Sequence, residues 1–431
     1  MRSPSPYRVY LILSGAMSLL FALIFTIMAV YRVQAAGLNP LQLVLVGTAL
    51  EVTYFCFNVP TGVVADTYSR KLSVVIGVLL FGAGFVLEGS FPIFGVIILA
   101  QLIEGFGYTF MEGALEAWIT DEVGEANVGA VFLRGSQVAN ITGLVGIGAS
   151  VALASIGLAL PIIVGGVLFL VLAIWLMLAM SEPAFVRPAR SERESLEGKM
   201  AASVRNSLHD MADTLRQSAH VVRHRPLALT ILAIAGVWGG FTEGLDRLGE
   251  AHFIQVIGLP RIGNFDTVVW FGIIAAGGML LTIGASELAR RRLALEQSAV
   301  AVKALFAFNT VLIVSMFVFA LAGSFALALG AFWVVSVMRS LQYPVYSTWL
   351  NQNVDSRVRA TVLSLSGQTD ALGQFTVGPG IGVLGTVYGL RVALSAAAGA
   401  LSPALLLYGY ALRKHRSEPV AAQTHPVTVE P

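Results

Sequence analysis

The sequence predicts an all-α integral membrane protein with twelve transmembrane helices in two pseudo-symmetric six-helix bundles. Three observations carry this prediction. The first is composition: 56% of the 431 residues are hydrophobic and 12% are charged. Soluble domains carry about 25% charged residues, so this chain lacks the polar residues that a soluble surface requires. The second is a recurrence of apolar stretches of the length that crosses a bilayer, about 20 residues. The third is an alternation of basic residues between the connecting loops.

The expected spans of the first half are 9–31, 41–65, 72–89, 92–120, 129–155 and 158–180. The first stretch is too long for the apolar core of a signal peptide and reads as a spanning helix. One long polar segment follows, 181–225, with Arg187, Arg190, Arg193, Lys199, Arg205, Arg216, Arg223 and Arg225. Within it, 203–222 reads either as an amphipathic surface helix or as a solvated linker. The second half holds expected spans 226–256, 266–286, 297–322, 325–350, 357–386 and 390–412. The expected organisation is an N-terminal bundle (1–180), a cytoplasmic linker (181–225), a C-terminal bundle (226–413) and a disordered cytoplasmic tail (414–431). The 44 glycines suit a bundle in lipid, where small residues let helices approach closely.

Lysine and arginine concentrate in cytoplasmic loops. With both termini in the cytoplasm, that side collects Arg2, Arg8, Arg70, Lys71, Arg134, the linker cluster, Arg290, Arg291, Arg292, Arg357, Arg359, Arg413, Lys414 and Arg416. The opposite side receives little beyond Arg32, Arg261 and Arg391. The alternation holds along the whole chain, as it would not with an odd miscount of helices. It predicts a multi-pass protein of the cell membrane.

The halves also echo one another. Asp66-x-x-x-Arg70-Lys71 after the second span is matched by Glu287-x-x-x-Arg291-Arg292 after the eighth. Trp118-Ile-Thr-Asp-Glu-Val123 ends the fourth span and Trp349-Leu-Asn-Gln-Asn-Val354 the tenth. Gly135-Ser-Gln137 corresponds loosely to Gly367-Gln368. Transporters built from such repeats place the substrate near the bilayer midplane, between the halves.

The segment Gly62-Val-Val-Ala-Asp66-Thr-Tyr-Ser-Arg70-Lys71 resembles the loop between helices two and three of the major facilitator superfamily. Ser69 stands where that family usually has glycine, and Thr67 where a basic residue is common. The resemblance covers about 7–413. It implies a gating cluster of Gly62, Asp66, Arg70, Lys71 and, at the end of helix four, Asp121. Gly62 is expected to permit close helix approach and Asp66 to pair with Arg70. These charges are expected to meet when the protein is open to the outside. Glu112-Gly-Ala-Leu-Glu116-Ala-Trp118 is similar to a segment of drug exporters in this superfamily. Helix five is glycine-rich at Gly143, Gly146 and Gly148 but lacks the proline of the antiporter signature; Gly378-Pro379-Gly380-Ile-Gly382 stands in helix eleven instead.

Ionisable side chains within spans are expensive and therefore candidates for function. Glu104, Tyr108, Glu112 and Glu116 fall at successive i,i+4 positions, which share a helix face. With no basic residue in that helix, the stripe is expected to face the central cavity and to exchange protons. Glu243, Asp246, Arg247 and Glu250 lie in helix seven, where Glu243 and Arg247 have the spacing of a local pair and the group falls where an outer gate would stand. Arg339 in helix ten needs an acidic partner or an anionic substrate; Asp370 in helix eleven is the expected partner. Tyr343 with Trp118, Trp238 and Trp349 supplies aromatic surface for the cavity. Glu51 in helix two and Glu88 at the outer end of helix three are less informative.

Several functions lack their residues. The single cysteine, Cys56, excludes a disulfide framework and a multi-cysteine metal site. There is no phosphate-binding loop, nucleophile elbow or zinc-protease motif. The net charge of +2, scattered over loops, gives no nucleic-acid footprint. The expected protein is no enzyme, carries no cofactor or metal, and works as a monomer in the lipid bilayer with protons and a small molecule as partners. Proton-coupled efflux of amphipathic or apolar molecules by alternating access is the expected function. The alternatives are import of a small, possibly anionic, metabolite and a non-transporting membrane scaffold or enzyme.

Overall fold

A computed structural model describes residues 5–186, 226–261, 266–292, 298–354 and 356–417. Every regular element among the described residues is helical. The first half comprises α1 (Pro6–Val30), α2 (Pro40–Thr67), α3 (Arg70–Ser90), α4 (Phe94–Met111), α5 (Ala114–Val123), α6 (Glu125–Ala154) and α7 (Leu160–Ala179). The second comprises α8 (Pro226–His252), α9 (Thr267–Arg292), α10 (Ser298–Leu321), α11 (Phe325–Asn353), α12 (Ser356–Tyr388), α13 (Leu390–Leu401) and α14 (Pro403–Ser417). Most of the expected segment 181–225, the possible surface helix included, and the tail beyond Ser417 lie outside the described residues.

Eleven helical stretches among the described residues are long and apolar enough to cross a membrane. Two of them join two α-helices: α4 with α5 across 94–123, and α13 with α14 across Leu390–Arg413. The expected eleventh span forms α12, which has ample length at 33 residues. It is not among the eleven, because Gln368, Asp370, Gln374 and a run of glycines dilute its apolar character.

Local chemistry sets several boundaries. Pro40 takes the first helical position of α2, where its missing N–H costs nothing. Asn39 caps that helix in a reciprocal box, accepting from Gln42 N at 2.9 Å while Gln42 Oε1 accepts from Asn39 N at 3.0 Å. Ser69 caps α3 by accepting from Leu72 N at 2.9 Å. The fourth span breaks at Glu112, which is extended, and Gly113, whose φ of 72° suits glycine alone. Each half begins with a helix that ends in a π-turn, Tyr31–Ala35 after α1 and Phe253–Ile257 after α8.

Two apolar clusters form the interior. One joins α1 to α7 around Phe81, Phe85 and Phe169, with Phe21 packed edge-on against Phe81 at 5.4 Å, and takes in Val268 from α9. The other joins α8 to α14 around Phe253, Phe319, Trp349 and Tyr408, and takes in Val30, Leu43, Val44, Val46 and Ile97 from the first half. Those last residues lie toward the side on which α2 begins, called the far side below. The halves therefore share a core on the far side.

Candidate functional site

On the side where α1 begins, the halves part around a cavity of about 480 Å³. Its lining comes from the second half of α2 (Tyr54, Phe55, Asn58, Val59), Glu112 at the break after α4, the first half of α8 (Ile234, Ala235, Trp238), the second half of α11 (Arg339 to Leu350) and the first half of α12 (Leu363 to Asp370). Phe55 of this lining packs edge-on against Phe375, with ring centroids 5.4 Å apart. Beyond them, toward the far side, α2 lies directly on α8 and α12. Gly47 has no room for a side chain, because Glu243 Oε1 and Arg247 Nε occupy the place of a Cβ. Leu41 N donates to Thr386 Oγ1 at 3.0 Å.

The charged residues of the cavity are arranged differently from the expectation. Arg339 is bound by Asp246 of α8, with Nη2 to Oδ2 at 2.9 Å and a second bond from Nη1 to Oδ1. Asp370, the expected partner, instead accepts from Gln374 Nε2 at 2.9 Å, one turn along α12. Sequence spacing could not decide between two acids on different helices. Arg247 and Glu243 form the anticipated local pair at 3.3 Å, set in the contact with α2. Glu250 is half-buried one turn beyond Asp246.

The expected stripe on the fourth span divides into three environments. Glu112 lines the cavity. Tyr108 is 48% exposed and packs edge-on against Tyr54 at 5.4 Å. Glu116 follows the break at Gly113 and is exposed on α5, so it no longer continues the face of α4. Glu104 does not reach the cavity. It is 2% exposed and lies between α3 and α4, its Oε2 accepting from Gln101 Nε2 at 2.6 Å. The same amide nitrogen lies 3.2 Å from Glu88 Oε2. Glu88 in turn binds Arg32, with Nε to Oε1 at 2.7 Å and Nη2 to Oε2 at 3.0 Å. Glu88, Arg32 and Gln101 were not singled out as a site by sequence reasoning. The signal that could have found them is Arg32 itself, a cation with no acidic residue in its own helical stretch.

Of the aromatic residues, Trp238 and Tyr343 line the cavity, and Tyr343 is 77% exposed there. Trp118 and Trp349 do not. Trp118 is buried and donates from Nε1 to Ser181 O at 2.8 Å; Trp349 is buried beside Tyr346 and Tyr408.

The loop cluster is only partly assembled. Arg70 forms an ion pair with Asp121 and donates from Nη1 to Ala117 O at 2.9 Å. Asp66 is exposed and has no ion pair among the described residues. The reason is local: α2 ends at Thr67 and Arg70 opens α3, so Asp66 and Arg70 are not on one continuous helix. In the matching position of the second half, α9 runs unbroken to Arg292, and Glu287 pairs with Arg290 at 2.8 Å and Arg291 at 2.6 Å. Gly62 faces open space, with nothing within 4 Å of a Cβ, so it mediates no helix contact here. Lys71 contributes its backbone N–H, which donates to Glu182 Oε2 at 3.0 Å, while Ser69 bonds Glu182 Oε1 at 2.5 Å.

The family described as Major Facilitator Superfamily matches residues 10–376. YxaM of Bacillus subtilis (strain 168), an uncharacterized MFS-type transporter, is 22% identical over 374 residues, covering 85% of this chain and 86% of that relative. Among solved structures, the nucleoside transporter NupG superposes with a TM-score of 0.70 at 13% identity, over 95% of this chain and 100% of that one. A bacterial homolog of the human lysosomal transporter Spinster, inward-facing and occupied, gives 0.71 at 15% identity, over 97% and 100%. A POT family transporter in complex with a thioalcohol-conjugated peptide gives 0.70 at 11% identity, over 95% and 96%. At such identities the likeness is one of fold.

Proposed function

The chain belongs to the major facilitator superfamily, and from that premise we propose that it is a secondary active transporter exporting amphipathic or apolar small molecules in exchange for protons. Twelve spans form two six-helix bundles, 1–180 and 226–413, joined by a cytoplasmic linker at 181–225 and followed by a cytoplasmic tail at 414–431. Both termini face the cytoplasm and the protein lies in the cell membrane as a monomer. The cavity is then open to the cytoplasm and sealed on the far side, ready to take cargo from inside.

The observation that carries this reading is the balance of charge in the cavity. Among the described residues its one lining guanidinium, Arg339, donates two bonds to Asp246, while Glu112 and Asp370 line the same space with no basic partner among those residues in hydrogen-bond contact. Tyr54, Phe55, Trp238 and Tyr343 supply apolar and aromatic surface around them. Such a site suits a molecule with a large apolar body, and titratable acids beside it suit proton exchange. Import of an anion fits less well, because the guanidinium that would hold the anion is already engaged. Gating would use Asp66, Arg70, Lys71 and Asp121, with Asp66 joining the Arg70–Asp121 pair only after the near side closes.

Membrane vesicles test the direction. Inverted vesicles with an acidic lumen should accumulate a fluorescent amphipathic dye, rhodamine 6G, and lose it on addition of a protonophore. Accumulation of a labelled anionic metabolite in right-side-out vesicles, with no dye transport in inverted ones, would overturn export in favour of import.

A further inference from the structure

The group formed by Arg32, Glu88, Gln101 and Glu104 has no part in lining the cavity. It is assembled entirely within the first half, from the π-turn after α1, the end of α3 and the first part of α4. Its four side chains are sealed: Arg32 is 6% exposed, Glu88 0%, Gln101 2% and Glu104 2%. The Tyr31 hydroxyl closes one side by donating to Glu88 O at 2.6 Å.

Counting charges shows what is missing. Arg32 and Glu88 neutralise each other through two bonds. Glu104 is a second acid with no cation in contact; its single bond comes from the Gln101 amide, and its Oε1 is buried with no partner. An unpaired buried anion is far more costly than a neutral acid with one hydrogen bond. Gln101 cannot make up the difference, because its amide nitrogen is shared between the two carboxylates. Glu243, Arg247 and Glu250 face this region from α8, across the far-side contact with α2. Arg247 is bonded to Glu243 and set against Gly47, so it is not free to serve Glu104.

We propose that this cluster is the site at which the exchanged proton is carried, with Glu104 holding it as a neutral acid while the far side is closed. The inference rests on the proton-exchange reading above and adds a location for the proton separate from the substrate cavity. The proton forms an O–H bond on the Glu104 carboxylate, taken from water on the far side when α2 and α8 part there. On release it returns to water on the near side. Tyr108 and Glu112 follow Glu104 at one and two further turns of the fourth span, and Glu112 reaches the cavity. In this scheme Arg32 and Glu88 are positioning residues: they hold Gln101 and keep a fixed negative charge beside the acid.

The test combines infrared spectroscopy with transport, both on the full chain in lipid. The wild type should show a carbonyl stretch of protonated carboxyl groups, with one component lost in Glu104→Gln and kept in Glu112→Gln. In vesicles, Glu104→Gln should still exchange rhodamine 6G for rhodamine 6G but fail to accumulate it against a proton gradient. An unchanged infrared band in Glu104→Gln overturns the proposal. So does gradient-driven accumulation by that variant with the wild-type pH dependence, which would make the proton a captive one, and so does accumulation driven equally by sodium. Should Glu104→Gln not fold, Glu104→Asp keeps the acid and must shift the same band; an unshifted band overturns the assignment. Wild type without proton-driven accumulation would overturn the export reading and this inference together. Wild type and Glu104→Gln accumulating alike would overturn this inference alone.

Discussion

Among the described residues, the two interhelical arginine–carboxylate pairs of the membrane interior differ in one respect. Arg32 with Glu88 and Arg339 with Asp246 each join two helices through two hydrogen bonds. The first pair is sealed, with side chains 7% and 0% exposed. The second opens onto the cavity, at 29% and 44%. A sealed pair holds structure together, because removing one member leaves the other charge stranded in a dry interior. A pair in contact with water is screened and can exchange partners. The same contrast separates Glu104 from Glu112 two turns apart on one span. Depth in the bundle, more than residue type, decides which charge supports and which can meet cargo.

The largest expected effect breaks this comparison at its sealed end. Glu88→Gln strands Arg32 and should lower stability by about 3–5 kcal/mol. Asp246→Asn should cost about 1 kcal/mol or less, because its pair is half in water. Thermal unfolding of both variants in detergent measures the difference, and equal losses would remove the distinction between the pairs. Next comes the far-side contact. Gly47→Leu would drive a side chain into Arg247 and Glu243, costing the closed state about 1–3 kcal/mol. A cysteine placed at Val44 should then react faster with an impermeant thiol reagent from the far side, by roughly tenfold or more. Unchanged reactivity would show that this contact does not seal the protein.

Smaller effects concern the near side. Trp118→Phe deletes the bond to Ser181 O that ties the chain after α7 to α5 and should lower stability by about 1 kcal/mol, read as a drop in unfolding temperature. Asp66→Asn should slow turnover about fivefold, a coupling of about 1 kcal/mol, with dye binding unaltered. Normal turnover in a folded Asp66→Asn protein would remove Asp66 from the gate.

Much of the fold was legible because a bilayer imposes one rule on every helix, a length of apolar residues between polar ends. The proline and asparagine at the start of α2 and the serine before α3 mark their boundaries in plain chemical terms. The break at Gly113 was harder to read, since Glu112 and Glu116 keep perfect helical spacing in sequence while one residue of positive φ turns the second away from the first. The site was less legible for a related reason. Spacing reveals pairs within a helix, such as Glu243 with Arg247, but says nothing of which helices meet. Arg339 therefore took Asp246 where Asp370 was expected, and Glu88, at the end of α3, gave no sign that Arg32 lay beside it. The loop repeat shows the same limit: Asp66 and Glu287 stand in matching motifs, yet only Glu287 shares a continuous helix with its arginines.

In the proposed exchange, cargo and protons move in opposite directions through this one chain. Purified protein in vesicles loaded with a pH-sensitive dye tests it most directly. With rhodamine 6G trapped inside and none outside, efflux of the dye should draw protons inward and acidify the lumen, at a rate that rises with the amount of protein and falls to that of empty vesicles in the Glu104→Gln, Glu112→Gln double variant. Dye efflux with no acidification beyond that of protein-free vesicles would contradict the exchange.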